Sequence, residues 1–231
     1  MRHGHVDYFA QAVTDPRLVL LTEEGRRQAQ ACRDALRHVS FDLAVCSGLP
    51  RTRETAEIVL SAHGEAALVD EAGFEELKSG FVKAASREEL AGRLAFCFDE
   101  AAEPGAAFLP DGETFVSAQT RIVAAVQRLL TRPDWKTALV VAHEGVNRIV
   151  LGWASRGGLA SIASFEQDLA CVNVVDIDVV PGEAPGETII ERAVIKAMNL
   201  TPYDYSKAGL PRTSLEHLFD VDFGRSRPRR N

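Results

Sequence analysis

Four short segments of the chain carry arginine, histidine, glutamate and glycine where a strand or a loop is expected to meet a helix. The segments are Arg2-His3-Gly4-His5, Ser47-Gly48-Leu49-Pro50-Arg51, Glu76-Leu77-Lys78-Ser79-Gly80 and Ala142-His143-Glu144-Gly145. An arginine guanidinium donates to two oxygens of an anion at once and keeps its charge, so these residue types suit the binding of a phosphate group. Because α/β folds gather ligands beyond the carboxyl ends of their strands, the four segments predict one shared site.

Taken in order, these motifs resemble the histidine phosphatase superfamily, a group similar to phosphoglycerate mutases that carries phosphoryl groups on a histidine. Further similar positions are Leu21-Thr22 with Gly25, Gln28-Ala29, Thr55-Ala56 and Gly112-Glu113-Thr114. The resemblance covers about residues 2–155. It implies a three-layer α/β/α fold with a mainly parallel mixed sheet. It also implies catalysis by His3, Glu76 and His143, and phosphate binding by Arg2, Arg51, His143 and Gly4.

The chemistry of phosphate esters explains why these residue types are needed. A site must neutralise the oxygens of a phosphomonoester dianion with fixed donors, and Arg2, Arg51 and His143 suit this clamp. His3 is the candidate nucleophile, because a neutral imidazole nitrogen can attack phosphorus and form a phosphohistidine. Gly4 has no Cβ, so backbone groups can approach a bound anion there. The alternative for His3 is a frayed terminal residue, and the sequence leaves that alternative open.

A leaving alkoxide needs a proton, which a carboxylic acid held near the operating pH can supply before it activates water. The family spacing Glu-x-x-x-Gly selects Glu76, which precedes Gly80 by the right interval. Glu75 remains a rival, and Glu71 and Glu113 are more distant rivals. The alternative for each of these glutamates is a solvated surface carboxylate.

Several neighbouring residues receive structural assignments. Ser47 is expected to cap the helix that follows it rather than to touch phosphate. Arg53 is expected to pair with Glu57, four residues on, and Arg148 to lie at a helix end. His5 stands where the family commonly has Glu or Gln, so the contacts on the substrate side are left unassigned.

Hydrophobic periodicity predicts the elements that position the four segments. It indicates helices at residues 22–39, 51–63, 113–130 and 145–155. It indicates strands at residues 41–46, 137–142, 171–179 and 188–197. The last two flank a loop rich in proline and glycine, so they are expected to pair antiparallel. Strands that alternate with helices favour a layered α/β architecture.

The chain is expected to form a single catalytic domain over residues 1–231. Residues 71–110 lack clean periodicity and predict a small lid insertion with one helix over 86–100. The basic segment 224–231 is expected to be a disordered tail.

The start of the sequence conflicts with the predicted sheet. Reactive residues of a parallel sheet normally follow a strand, yet only Met1 precedes Arg2. Either the native sheet lacks that strand, or roughly four to six apolar residues lie upstream.

Composition excludes several classes of protein. The chain has 231 residues, of which 46% are hydrophobic, which is enough apolar material for a sizeable core. The formal net charge of −7 disfavours nucleic acid and anionic membranes as partners. No apolar run approaches the roughly 20 residues of a membrane span, and the scattered cysteines favour the cytoplasm. His143 has no second histidine at i+4, so no zinc motif is present, and no metal or cofactor is expected.

The leading hypothesis is therefore a metal-independent phosphatase that hydrolyses a small phosphorylated metabolite through a phosphohistidine on His3. A mutase is the nearest alternative, but it needs a longer lid than residues 71–110 provide. A non-catalytic phosphate-binding module of the same fold is the second alternative. The sequence leaves the substrate and a homodimeric state open.

Overall fold

The computed structural model describes residues 1–9, 15–64, 66–79, 86–94, 96–183, 188–208 and 212–221. Gly80 and the predicted tail at 224–231 lie outside the described residues. The described helices are α1 Glu23–Leu36, α2 Pro50–Leu60, α3 Arg87–Leu94, α4 Phe115–Leu130, α5 Glu144–Ala154 and α6 Ser214–Phe219. The strands are β1 Leu43–Cys46, β2 Leu68–Asp70, β3 Ala138–Val141, β4 Val172–Pro181 and β5 Thr188–Leu200. None of these helices is long and apolar enough to cross a bilayer.

A parallel sheet with the order β2-β1-β3 forms the centre of the fold. In β1, Val45 packs into the same core as Ile122 of α4 and Ile149 of α5. Its neighbour Cys46 packs on the opposite face, against a core that includes Val59 of α2. Successive residues of a strand point to opposite faces of the sheet, so α4 and α5 pack on one face and α2 packs on the other. The sheet and the helices on its two faces form the predicted three layers.

The helix boundaries follow from local chemistry. Thr22 caps α1 by accepting from the Gly25 amide, and Thr114 caps α4 by accepting from the Ser117 amide. Pro50 occupies the first turn of α2, where no backbone donor is needed. The predicted helices are confirmed with small shifts at their ends.

The late antiparallel pair is also confirmed. β4 and β5 pair from Val172 opposite Leu200 to Pro181 opposite Thr188. Five described elements were not predicted: β2 and α6, which are short, and the 3-10 helices Pro16–Leu18, Ala72–Phe74 and Gly158–Ser164. The helix expected over 86–100 is shorter, since α3 ends at Leu94. The role of residues 71–110 as a lid stays a prediction.

Residues 1–3 form a strand stub that links the two sheets. The Ala142 amide donates to the Met1 carbonyl at 2.9 Å, and the His3 amide donates to the Ala142 carbonyl at 3.1 Å. On the other side the Arg2 amide donates to the Cys171 carbonyl at 3.0 Å. The sheet therefore holds His3 by backbone bonds, which argues against a frayed terminal residue.

A cavity of about 370 Å³ lies next to Met1, between β3 and β4. Its lining is mainly apolar and includes Leu139, Val174 and Ile177. Met1 is one of the lining residues. Its ammonium donates to the Val140 carbonyl at 2.6 Å, and burial lowers the pKa of that ammonium.

Four apolar residues added before Met1 are expected to extend the stub parallel to β3 and to raise Tm by about 4 °C. The added side chains would bury apolar surface, and the buried ammonium would become an uncharged amide. Scanning calorimetry of this variant, beside one with four added Gly and Ser residues, checks the prediction. Equal Tm values for the two extensions would contradict it.

Candidate active site

Two arginines lie buried at the carboxyl ends of the central strands. Arg2 is 2% exposed and Arg51 is 4% exposed. Each is anchored through Nη1 on backbone oxygens: Arg2 on Gln167 at 2.5 Å, and Arg51 on Pro16 at 3.3 Å and Arg17 at 3.5 Å. The Nε atom of each is buried and has no hydrogen-bond partner among the described residues. Each guanidinium group therefore keeps one N–H donor without a partner in the described part of the chain.

His3 lies beside these arginines and is itself buried. Its Nδ1 donates to the Gly4 carbonyl at 2.7 Å, which leaves Nε2 as the nitrogen with a free lone pair. Burial and the nearby Arg51 and Arg2 charges lower the pKa of His3 well below its usual value. The ring is therefore neutral at physiological pH, the form that a nucleophile requires.

Gly4 holds this arrangement through its backbone. Its amide donates to the Thr55 hydroxyl at 3.1 Å, so that donor is already engaged. A Cβ at Gly4 would lie 2.5 Å from the Gly25 carbonyl oxygen, so a larger residue would push α1 away. The predicted contact between Gly4 and phosphate stays a prediction.

His143 faces His3 in an edge-on arrangement, with ring centroids 5.3 Å apart. Arg51 Nη2 donates to His143 Nδ1 at 3.4 Å, so His143 Nε2 carries the proton and donates to the Ser47 hydroxyl at 2.9 Å. The Ser47 hydroxyl in turn bonds the Thr52 hydroxyl at 2.8 Å. Burial and Arg51 lower the pKa of His143 well below its usual value. The network fixes both the tautomer and the orientation of His143.

Glu76 lies against the amino end of α5. Its carboxyl accepts from the Leu77 amide at 3.0 Å and from the Gly145 amide at 3.5 Å. Burial is the main cause that raises the pKa of Glu76, and the charge of Glu144 adds to it. A raised pKa favours the protonated form that a general acid needs.

The rival glutamates are all bound to arginines. Glu75 pairs with Arg17 at 3.1 Å, Glu71 with Arg128 at 2.8 Å and Glu113 with Arg121 at 2.6 Å. The hydrogen bond from Arg128 lowers the pKa of Glu71. Burial acts to raise the pKa of Glu113, but the hydrogen bond and the charge of Arg121 outweigh it, so that pKa is lowered. These pairs favour Glu76 as the acid.

Gly145→Ala is expected to reduce turnover about tenfold or more while the fold is kept. A Cβ at position 145 would lie 2.8 Å from Glu76 Oε1 and 2.7 Å from Leu77 Cδ1, so the carboxyl must move. Steady-state kinetics checks this, with Gly64→Ala as a control because nothing lies within 4 Å of its Cβ position. Unchanged kinetics in Gly145→Ala would contradict the assigned role of Glu76.

Two residues at the site escaped the sequence interpretation. Glu144 is 4% exposed, and its carboxylate contacts Arg2 at 3.0 Å and Arg148 at 2.8 Å. The Tyr8 ring lies under the Arg51 guanidinium, 5.8 Å from it. The only signal for Glu144 was its place next to His143, and for Tyr8 its closeness to His3.

Three structural assignments were wrong. Leu49 is the N-cap of α2 without a side-chain bond, so Ser47 does not cap that helix and instead holds His143. Arg53 pairs with Asp70 at 2.5 Å rather than with Glu57, because β2 brings Asp70 across to it.

Arg148 lies inside α5, where Glu144 and two backbone carbonyls hold it, rather than at the helix end. Nδ1 of His5 shares a hydrogen bond with the Thr22 hydroxyl at 2.8 Å.

The residues of this site lie within a part of the chain that matches a known protein family. The sequence model of the histidine phosphatase superfamily (branch 1) matches residues 1–180. This chain belongs to that superfamily.

Individual relatives of this histidine phosphatase agree. The adenosylcobalamin/alpha-ribazole phosphatase of Salmonella typhi is 28% identical over 77% of this chain and 88% of its own length. The probable 2-carboxy-D-arabinitol-1-phosphatase of Arabidopsis thaliana is 27% identical over 68% of this chain and 32% of its own length. A structure of a putative alpha-ribazole-5'-P phosphatase from Escherichia coli superposes with a TM-score of 0.67 at 24% identity, over 86% of this chain and 93% of that one.

The superfamily match and the phosphatase relatives make the chain a phosphoric monoester hydrolase. The expected resemblance and the expected fold class are thereby confirmed.

Proposed function

We propose that the chain hydrolyses a small phosphomonoester in two steps, with a phosphohistidine on His3 as the intermediate and without a metal ion or cofactor. The observation that carries the proposal is the arrangement of two anchored, buried arginines around a neutral imidazole. Each arginine has an Nε donor without a partner in the described structure. Buried donors without partners are costly, and a phosphate dianion satisfies them.

The proposed phosphate clamp consists of two arginines and one histidine. Arg2 and Arg51 donate to the oxygens of the transferring phosphoryl group, whose charge is spread over those oxygens in the transition state. His143 joins the clamp through Arg51: its Nδ1 accepts from Arg51 Nη2 and its Nε2 proton is bonded to Ser47, so its ring holds that guanidinium in place. Both arginines are therefore positioned before substrate binds, so little reorganisation is needed during the reaction.

In the first step the lone pair of His3 Nε2 forms a bond to phosphorus while the bond from phosphorus to the alcohol oxygen breaks. The protonated Glu76 gives its proton to the departing alkoxide, which leaves as an alcohol. The Gly4 carbonyl, bonded to His3 Nδ1 at 2.7 Å, stabilises the positive charge that develops on the ring.

In the second step Glu76, now a carboxylate, takes a proton from water. The water oxygen bonds to phosphorus, and the bond from phosphorus to His3 Nε2 breaks. Inorganic phosphate is released, and both His3 and Glu76 return to their starting protonation states.

Phosphate release from a panel of phosphomonoesters, in buffer that contains EDTA, tests the proposal. The panel includes alpha-ribazole phosphate and 2-carboxyarabinitol 1-phosphate, which the names of the relatives suggest, together with p-nitrophenyl phosphate and 3-phosphoglycerate. We expect phosphate release from at least one of them in EDTA. Isomerisation of 3-phosphoglycerate without phosphate release would instead identify a mutase, and no reaction with any ester would favour a binding module.

A further inference from the structure

A buried carboxylate lies behind the phosphate clamp, and the proposed mechanism does not use it. Glu144 is the first residue of α5 and is 4% exposed. Its Oε2 lies 3.0 Å from Arg2 Nη1. An anionic group is unexpected so close to a site that must attract an anion, so its presence requires a reason.

Glu144 connects the clamp to a third buried arginine, Arg148. Its Oε1 accepts from Arg148 Nε at 3.1 Å and Nη2 at 2.8 Å, and from the Ser214 hydroxyl at 3.0 Å. Arg148 is held further by the carbonyl of Ile162 and by the carboxylate of Glu166. These donors hold the Glu144 carboxylate in place, so it cannot turn away from Arg2.

The other clamp arginine has a different environment. Among the described residues no carboxylate pairs with Arg51, whose fixed contacts are backbone carbonyls and His143. The clamp therefore contains one arginine with an internal counter-ion and one without. A phosphate dianion bound to the free Nε side of Arg2 would share that guanidinium with Glu144 on its Nη1 side.

We propose that Glu144 is an internal counter-ion that weakens the hold of the clamp on inorganic phosphate and so promotes release of the product. The inference rests on the proposed phosphate site, and Glu144 acts through Arg2 as a positioning residue. Its negative charge repels the bound dianion at short range in a buried site, where screening is weak. Arg148 opposes this effect, because it neutralises part of the charge of Glu144.

Substitutions at the two ends of one ion pair separate this role from a purely structural one. Glu144→Gln keeps the shape of the side chain and removes the charge, so inorganic phosphate is expected to bind about tenfold more tightly. Arg148→Gln removes the neutralising partner, so phosphate is expected to bind about threefold more weakly or worse. Loss of structure alone would weaken binding in both variants.

Isothermal titration calorimetry with inorganic phosphate at about pH 8 measures both constants, because phosphate is then a dianion and both site histidines are neutral. The matched control is Glu166→Gln, which also removes a negative charge from a partner of Arg148, at a residue that does not contact Arg2. Glu166 is 43% exposed, so its variant should stay within about twofold of the native affinity.

Unchanged or weaker phosphate binding in Glu144→Gln would overturn the counter-ion role. If that variant does not fold, Glu144→Ala, which also removes the charge, replaces it, and unchanged or weaker phosphate binding there overturns the role. A native protein that binds no phosphate would count against the proposed function itself. Because calorimetry needs no turnover, the two failures are distinguishable.

Discussion

His3→Ala is expected to lower kcat by at least about 10⁴-fold while the protein stays folded. The variant removes the only proposed atom that attacks phosphorus, and no neighbouring side chain can replace it. The ring of His143 has its Nε2 proton bonded to Ser47 and its Nδ1 facing Arg51. The fold should persist because backbone bonds hold position 3 to Ala142 and Ala170.

Rapid quenching of the native enzyme should trap phosphate that is labile to acid and stable to base, and His3→Ala should trap none. His38→Ala is the matched control, because His38 is exposed at the end of α1 and should keep native kcat. Label on a serine or an aspartate, or native kcat in His3→Ala, would refute the phosphohistidine mechanism.

Glu76→Gln is expected to slow esters of poor alkyl leaving groups by roughly 10²–10⁴-fold and to spare p-nitrophenyl phosphate. The amide has nearly the shape of the carboxylic acid, and its single oxygen can still accept from the Leu77 amide, which makes the shorter of the two bonds. Its nitrogen cannot give a proton to an alkoxide. p-Nitrophenolate is a stable anion and leaves without that proton. Initial rates with the two ester types measure the difference.

Arg51→Ala provides the contrast to this result, since it should slow both ester types alike. Arg51 is proposed to stabilise charge on the phosphoryl group, which every substrate shares, whereas Glu76 acts on the departing oxygen. Equal losses for both esters in Glu76→Gln would remove Glu76 as the acid. A selective loss in Glu75→Gln or Glu113→Gln would move the role to that residue.

The helices α1, α2, α4 and α5 and the strands β1 and β3 were predictable because their signals are local. In α4 the apolar side chains recur on one face and Thr114 stands at the cap position, and both features are present in the sequence. β2 was not predictable, because three residues carry too little periodicity and its parallel pairing with β1 is a tertiary contact.

The candidate site divides in a similar way. The family spacing selected Glu76 over Glu75, and the ion pair between Glu75 and Arg17 supports that choice. The roles of Ser47 and Glu144 depend on contacts with residues 96 and 142 positions away in the sequence, which no local pattern encodes. Sequence reasoning could therefore propose the chemical groups of the site, but it could not propose the contacts that hold them.

Because the stub at residues 1–3 carries the proposed nucleophile and is bonded to both sheets, we expect activity to be lost when the sheets unfold. Its backbone joins β3 on one side to the turn before β4 on the other, through the bonds of Arg2 with Cys171 and of His3 with Ala142. Separation of the two sheets would break the bonds of the stub on one side and so remove half of the backbone bonds that hold the nucleophile. The amide hydrogens of Arg2 and His3 should consequently exchange only through global opening, and activity should disappear along the same denaturant curve as the sheets.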